Sequence, residues 1–383
     1  MDQDTQISLV RRVLAHLETR TTDREDASAT VDVSTYLDEG RFARELERLF
    51  RGLPVMIAHA STLASPGDFV THDALGLPLL VVRGDDGVLR AHLNVCRHRG
   101  TRLEKAPCGK KKAFTCPYHA WSYGRDGAIV GIPHEYGFAD LDRKKRALTP
   151  APIAVHEALG FVWLGPPDAD PAKYLGDTIA HDFEGFALPG SHVYSRRTYT
   201  KEAGWKLALD VFLETYHLRP THKDTIYGIF FDNVGLVDKV GPHLRNVFPK
   251  RSIRELASQP PESWVLRVHG NVLYHLFPNT LVLVEPDHAA IVHVWPDGPK
   301  RSLLETYMLV PEAPTTDKAR AYWDANDAVL QNAVAEDFAM AESIQRGLAS
   351  GANHDLLFGA YEHALTHFHA MVARTTEHQG SDR

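Results

Sequence analysis

The sequence predicts an α+β protein in two parts: an all-β block, then a larger domain in which helices pack on an antiparallel sheet. Three observations predict it. Short β-type runs alternate with turns from Leu53 to Leu164. A proline-rich break follows at residues 165–171, Gly-Pro-Pro-Asp-Ala-Asp-Pro. Beyond it long strands and then long helices are segregated rather than alternating, which argues against a parallel α/β sheet.

The elements follow in chain order. Residues 1–52 carry helical periodicity, as in Phe42, Leu46, Leu49 and Phe50, and are expected to pack on the larger domain. In the all-β block, placed at residues 53–165, Leu79-Leu80-Val81-Val82 ends at the turn Gly84-Asp85-Asp86-Gly87. Ile153-Ala154-Val155 and Phe161-Val162-Trp163-Leu164 flank another turn. In the third region, residues 172–383, strands are expected over Asn279 to Val284, Ala290 to Trp295 and Leu304 to Val310, and helices from about Thr316 onwards.

Composition bounds the function. With 383 residues, 44% hydrophobic and 24% charged, the chain can bury a sizeable core. A net charge of −7 gives no reason to expect nucleic acid, and no stretch approaches a membrane span. The acidic start Met1-Asp2-Gln3-Asp4 is followed by no apolar leader, and three cysteines suit a reducing compartment, so a cytoplasmic protein is expected. Two basic runs, Lys110 to Lys112 and Arg143 to Arg146, read first as solvated surface and second as a patch that steers an acidic electron donor.

Two cysteine–histidine loops carry the first chemistry. Cys96-Arg97-His98 and Cys116-Pro117-Tyr118-His119 stand 17 residues apart, and each offers one thiolate and one imidazole. A structural zinc site usually takes two cysteines from one loop and two histidines from another. A mixed-ligand 2Fe-2S centre needs two cysteines on one iron and two histidines on the other, which two mixed loops can supply. Gly100, Gly109 and Pro117 provide turns, and Cys108 is a bystander. Histidine ligation sets such a centre at roughly −150 to +300 mV, against about −400 mV for an all-cysteine plant-type cluster.

The second constellation begins at Asp210, Glu214 and His217, whose spacing places them on one face if the segment is a continuous helix. His222 would leave that face, unless Pro220 stops the helix after Leu218 and a turn brings His222 back. Two imidazoles then need a carboxylate to form a 2-His-1-carboxylate triad with open positions on iron(II). Asp337 is the candidate, because its helical neighbours Leu330, Val334, Met340, Ala341 and Ile344 are apolar, whereas those of Glu336 include Asn332 and Ser343. A buried carboxylate needs a partner, and a metal cation is one.

Together these motifs resemble the Rieske non-heme iron oxygenases, the α subunits of ring-hydroxylating systems, from about residue 40 to residue 370. The resemblance implies an all-β Rieske domain and a helix-grip catalytic domain. It implies a Rieske 2Fe-2S cluster on Cys96, His98, Cys116 and His119, and mononuclear Fe(II) on His217, His222 and Asp337. It further implies that Glu214, where the family most often has Asp, bridges the two metals across a subunit contact, with Asp210 as a rival for that role. Electrons would come from an NAD(P)H-dependent reductase, directly or through a ferredoxin, since this chain lacks a dinucleotide fingerprint. A head-to-tail homotrimer is expected. The activity implied is hydroxylation by O2 of a small hydrophobic, aromatic substrate; the alternative is oxidative N- or O-demethylation or monooxygenation of an amine, quaternary ammonium included, or a methyl ether.

Candidate pocket residues are Val211, Phe212, Phe230, Phe231, Phe277, Leu283 and Val294, with no arginine to mark a carboxylate site. His363, His367 and His369 have helical spacing but no obvious acidic partner, and are placed on a half-exposed helix.

Overall fold

The structure is a computed structural model that describes residues 1–73 and 75–377. It divides into two compact units, Met1–Leu49 with Leu175–Arg383, and Phe50–Tyr174. No described helix is long and apolar enough to cross a membrane.

The Phe50–Tyr174 unit is built of three small antiparallel sheets. One pairs Ala154–Ala158, Phe161–Gly165 and Val55–His59; a second orders Leu89–Leu93, Leu79–Arg83, Asp68–His72 and Cys108–Lys110; the third holds Phe114–Thr115, Ser122–Tyr123 and Ile129–Gly131. Its core gathers Phe69, Leu80, Val82, Phe114, Trp121 and Tyr123 around the two thiols Cys96 and Cys116. Each large side chain so buried contributes about 1.5–3 kcal/mol. Many basic side chains on its surface are matched: Lys110 pairs with Asp68, Lys111 with Glu104 and Arg143 with Glu135. That pairing cancels much of the charge of both basic runs.

The other unit is organised by a seven-stranded antiparallel sheet in the order His192–Lys201, Ser302–Val310, Ala289–Pro296, Thr280–Val284, Gly270–Leu276, His243–Pro249, Leu236–Val240. Strand register puts Asn246, Leu273, Leu283 and Ala290 on one face, because directly paired residues point the same way. The 32-residue helix Asp317–Leu348 begins where Thr316 caps it by accepting from the Ala319 N–H at 3.2 Å. Its buried stripe runs Val334, Asp337, Phe338, Ala341, Gln345, Leu348. Met340 and Ile344, expected on the same face as Asp337, are instead exposed. At 3.6 residues per turn the stripe centres closer to Ala341 and Gln345, so Asp337 stands at its edge and can border a cavity.

The C-terminal helix His363–Glu377 buries His363 and His369 instead of half-exposing them. Phe368 between them is fully buried against Trp205, His275 and Phe277.

Candidate functional site

The two cysteine–histidine loops close by backbone hydrogen bonding. Cys96 N–H donates to Thr101 O at 2.8 Å and Gly100 N–H to Cys96 O at 2.9 Å; Cys116 N–H donates to Trp121 O at 2.8 Å and Ala120 N–H to Cys116 O at 3.0 Å. Gly100 turns the first loop at φ 82°, where glycine has no steric cost, and Ala120 turns the second at φ 57°. Both thiols are buried and Cys108 is exposed. Burial, together with neighbouring Cys116, pushes the Cys96 thiol up despite a contact with Tyr123 Oη at 3.4 Å. The Tyr123 hydroxyl also accepts from the Arg97 N–H at 3.0 Å, which fixes the loop.

The His98 ring stacks on Trp121 at 4.8 Å and meets the His119 ring at 4.7 Å. His119 Nδ1 is buried without a hydrogen-bond partner. Two buried thiols and two adjacent imidazoles, one with an unpaired nitrogen, fit a mixed-ligand iron–sulfur centre.

In the other unit the expected continuous helix does not form. The helix Trp205–Asp210 ends, residues 211–217 turn through bonds such as Phe212 N–H to Leu209 O at 2.9 Å, and a short helix Leu218–Thr221 follows. Pro220 lies inside that helix, in its first turn, where its missing N–H is not needed, and so does not stop it. The break sends Asp210 and Glu214 apart. Asp210 accepts from the Tyr36 hydroxyl at 2.7 Å and lies 3.0 Å from His369 Nε2. That supplies the acidic partner that the sequence did not offer His369.

Glu214 instead accepts from His217 Nδ1 and from the backbone N–H of Tyr216 and His217. His222 Nδ1 is held the same way, by Glu336 Oε2 at 2.7 Å, which also accepts from Thr225. Both Nε2 atoms therefore turn toward Asp337. Asp337 Oδ1 lies 2.9 Å from His222 Nε2 and 3.4 Å from His217 Nε2, yet it has no hydrogen-bond partner. One donor atom from each of the three lies within 4.8 Å of the others, which fits a shared cation. Burial opposes charging of His217, but Asp337 and Glu214 outweigh it and push the imidazole up to about 10; His222 is raised likewise. The surrounding carboxylates therefore favour positive charge at this position.

Glu336 is the residue that sequence reasoning passed over. Its polar helical neighbours counted against a metal role, and they do face outward; its work is to orient His222, a contact 114 residues away in sequence.

A cavity of about 440 Å³ opens on the triad. Of the predicted lining, Val211, Phe212, Phe230 and Leu283 border it, and Phe231, Phe277 and Val294 do not. Phe277 and Val294 lie at the wrong end of the sheet: Phe277 is one residue past the strand Gly270–Leu276, and Val294 is four residues beyond the lining residue Ala290, about 13 Å along the strand. Phe231 lies under the Arg251 and Arg254 guanidiniums instead. Charged lining went unforeseen: Lys250, Glu285 and Asp287 all border the cavity. Their signal was weak, because strand-end charges usually face water.

An open two-imidazole, one-carboxylate centre beside an apolar cavity, in a chain that also carries a thiolate–imidazole centre for storing electrons, defines an oxygenase component. The family model "Ring hydroxylating alpha subunit (catalytic domain)" matches residues 190–378 and "Rieske 2Fe-2S domain" matches residues 54–142. The chain belongs to the Rieske non-heme iron oxygenases, as an α subunit.

It is 29% identical over 363 residues to the carnitine monooxygenase oxygenase subunit of Escherichia coli (strain K12), covering 90% of this chain and 93% of that one. It is 33% identical over 226 residues to the chlorobenzene dioxygenase subunit alpha of Cupriavidus sp. (strain PS12), covering 57% and 50%. The crystal structure of a quaternary ammonium Rieske monooxygenase with L-carnitine has the same fold, at TM-score 0.76 and 24% identity over 92% of this chain and 97% of that one. The protein is thus the terminal component of a Rieske oxygenase system. Its cofactors are a Rieske 2Fe-2S cluster and a mononuclear iron, and it uses O2 and a reductase or ferredoxin donor.

Proposed function

We propose that this oxygenase oxidises a small amine, with His217, His222 and Asp337 holding the mononuclear iron and Cys96, His98, Cys116 and His119 holding the cluster. The observation that carries the substrate reading is the charge of the cavity: beyond the triad it presents three carboxylates, Glu214, Glu285 and Asp287, against one ammonium, Lys250. A cation leaving water for an apolar cavity needs such carboxylates to offset its desolvation. The name of the carnitine monooxygenase relative, alike over nearly its whole length, supports the same class.

When bound, the mononuclear iron supplies oxygen activation with electrons delivered from the cluster. The chain's own residues prepare the site. Glu214 and Glu336 hold each imidazole by its Nδ1, so that both Nε2 atoms face Asp337. Val211, Phe212 and Val334 keep the wall apolar and exclude water from the reacting end.

The subunits form a head-to-tail trimer in this reading, and Glu214 passes electrons from the cluster of a neighbouring copy. Sedimentation of the purified protein tests the ring: a fully active monomer would remove it. Hydroxylation of an aromatic ring is the second reading, favoured by the apolar walls Phe212, Leu218 and Leu283 and by the chlorobenzene dioxygenase likeness. Turnover of a panel of amines and small aromatics under ¹⁸O₂ with a surrogate reductase decides between them. Dealkylated or oxygenated amines support the proposal; oxygen entering only aromatic rings overturns it.

A further inference from the structure

Besides the triad with Glu214 and Thr215, the cavity has a second group of polar lining residues that includes Asn271, Glu285 and Asp287. Tyr322 donates to Asp287 Oδ2 at 2.6 Å, and Tyr322 precedes Asp337 by 15 residues on one helix, about 22 Å along its axis. The acidic pole is therefore at the far end of the cavity from the triad. Asn271 belongs to it, because its Nδ2 donates to Glu285 Oε1 at 2.7 Å. Only an amide N–H can serve a carboxylate, so this bond fixes the rotamer and leaves the amide carbonyl as the free end.

Asn271 Oδ1 is buried and has no hydrogen-bond partner, although the residue is only 6% exposed and lines the cavity. A buried carbonyl left unpaired is costly, so its retention points to a partner from outside the chain. That partner must be a hydrogen-bond donor. Lys250 does not fill the role: it pairs with Glu285 Oε2 at 3.5 Å, on the other carboxylate oxygen. His288 Nδ1 and the Tyr322 hydroxyl both face Asp287.

We infer that Asn271, with Glu285 and Asp287, forms a specificity subsite that selects protonated amines carrying at least one N–H over their quaternary homologues. The inference rests on the amine reading and goes further. Both kinds of cation satisfy the carboxylates, but a quaternary nitrogen has no N–H and leaves the Asn271 carbonyl unpaired. The charge selects cations, and the amide carbonyl selects among them.

The test uses holoenzyme with both iron centres loaded and a matched pair of ligands, N,N-dimethylbenzylamine and benzyltrimethylammonium. Dissociation constants are measured by calorimetry, and products are identified separately. The wild type should bind the tertiary amine about tenfold or more tightly than the quaternary ion. Asn271→Leu should erase that preference, and Asn271→Gln, which keeps both an acceptor and an N–H for Glu285, should keep it. Thermal melts and the cluster's absorption verify that each variant is folded, and the wild-type comparison decides the matter even if Asn271→Leu is not. Equal binding of the two amines by the wild type, or an undiminished preference in folded Asn271→Leu, overturns the subsite while leaving amine oxidation intact. If neither amine binds or is oxidised and a neutral aromatic is, the amine reading and the subsite fall together.

Discussion

The two proposed metal centres hold their imidazoles by different means. In the Phe50–Tyr174 unit the ligands ride on loops shaped by their own backbone hydrogen bonds, and the His98 ring is set by stacking on Trp121. In the other unit each imidazole is clamped through Nδ1 by a carboxylate, His217 by Glu214 and His222 by Glu336. One arrangement is mechanical and the other electrostatic. The first should therefore survive a changed charge, and the second should not.

Five substitutions and a pH series break or sharpen that contrast. The largest effect is expected from Glu214→Gln, which keeps the shape of the clamp and removes its charge. Turnover should fall by about 10–100-fold or more, while the cluster is still reduced at the normal rate in stopped flow. Glu336→Gln should act in the same direction nearer tenfold, read as weaker iron retention on dialysis. Asp210→Asn should leave electron delivery intact and cost on the order of 1–3 kcal/mol of stability, because Asp210 serves Tyr36 and His369. If turnover survives Glu214→Gln and is abolished by Asp210→Asn, the two roles are reversed.

The catalytic unit should also be the acid-sensitive one. Burial pushes the His275 imidazole from 6.5 down to about 3. An unfolded chain binds this proton below 6.5 and the folded chain refuses it. The stability tied to neutral His275 is thus complete above about pH 6.5 and is lost as pH falls toward 3, at up to about 1.4 kcal/mol per unit. His275→Phe, packed against the same Phe368, should flatten the stability curve in that window, as followed by urea melts. The smallest effect is expected from Gly100→Ala in the first cluster loop. A Cβ there meets nothing within 4 Å, so the cost is the left-handed backbone alone, about 1–2 kcal/mol, with the cluster still bound.

How much of this was legible in the sequence follows the same divide. Both proposed cluster loops lie within residues 96–119 and their candidate ligands are neighbours along the chain, so spacing alone nominates them. Three strands of the seven-stranded sheet, Thr280–Val284, Ala289–Pro296 and Ser302–Val310, and the start of the long helix at Thr316 are likewise local signals. Helical periodicity nominates Asp337, although the buried stripe is centred elsewhere and Met340 and Ile344 face solvent. The break after Asp210 was missed because Asp210, Glu214 and His217 satisfy a helical spacing that the chain does not use. The clamp on His222 depends on a tertiary contact to Glu336, and nothing near either residue announces it. Apolar and aromatic character does not say which end of the sheet holds the cavity, so Phe277 and Val294 stand among the sequence candidates and Asn271 does not.

The central claim is that one chain carries two separate iron centres and that Asp337 belongs to the second alone. Metal analysis with electron paramagnetic resonance of the reduced Asp337→Asn variant tests it most directly. Iron content should fall by about a third, the cluster signal should persist unchanged and turnover should vanish. Full iron content with turnover retained, or loss of the cluster signal along with the iron, would contradict it.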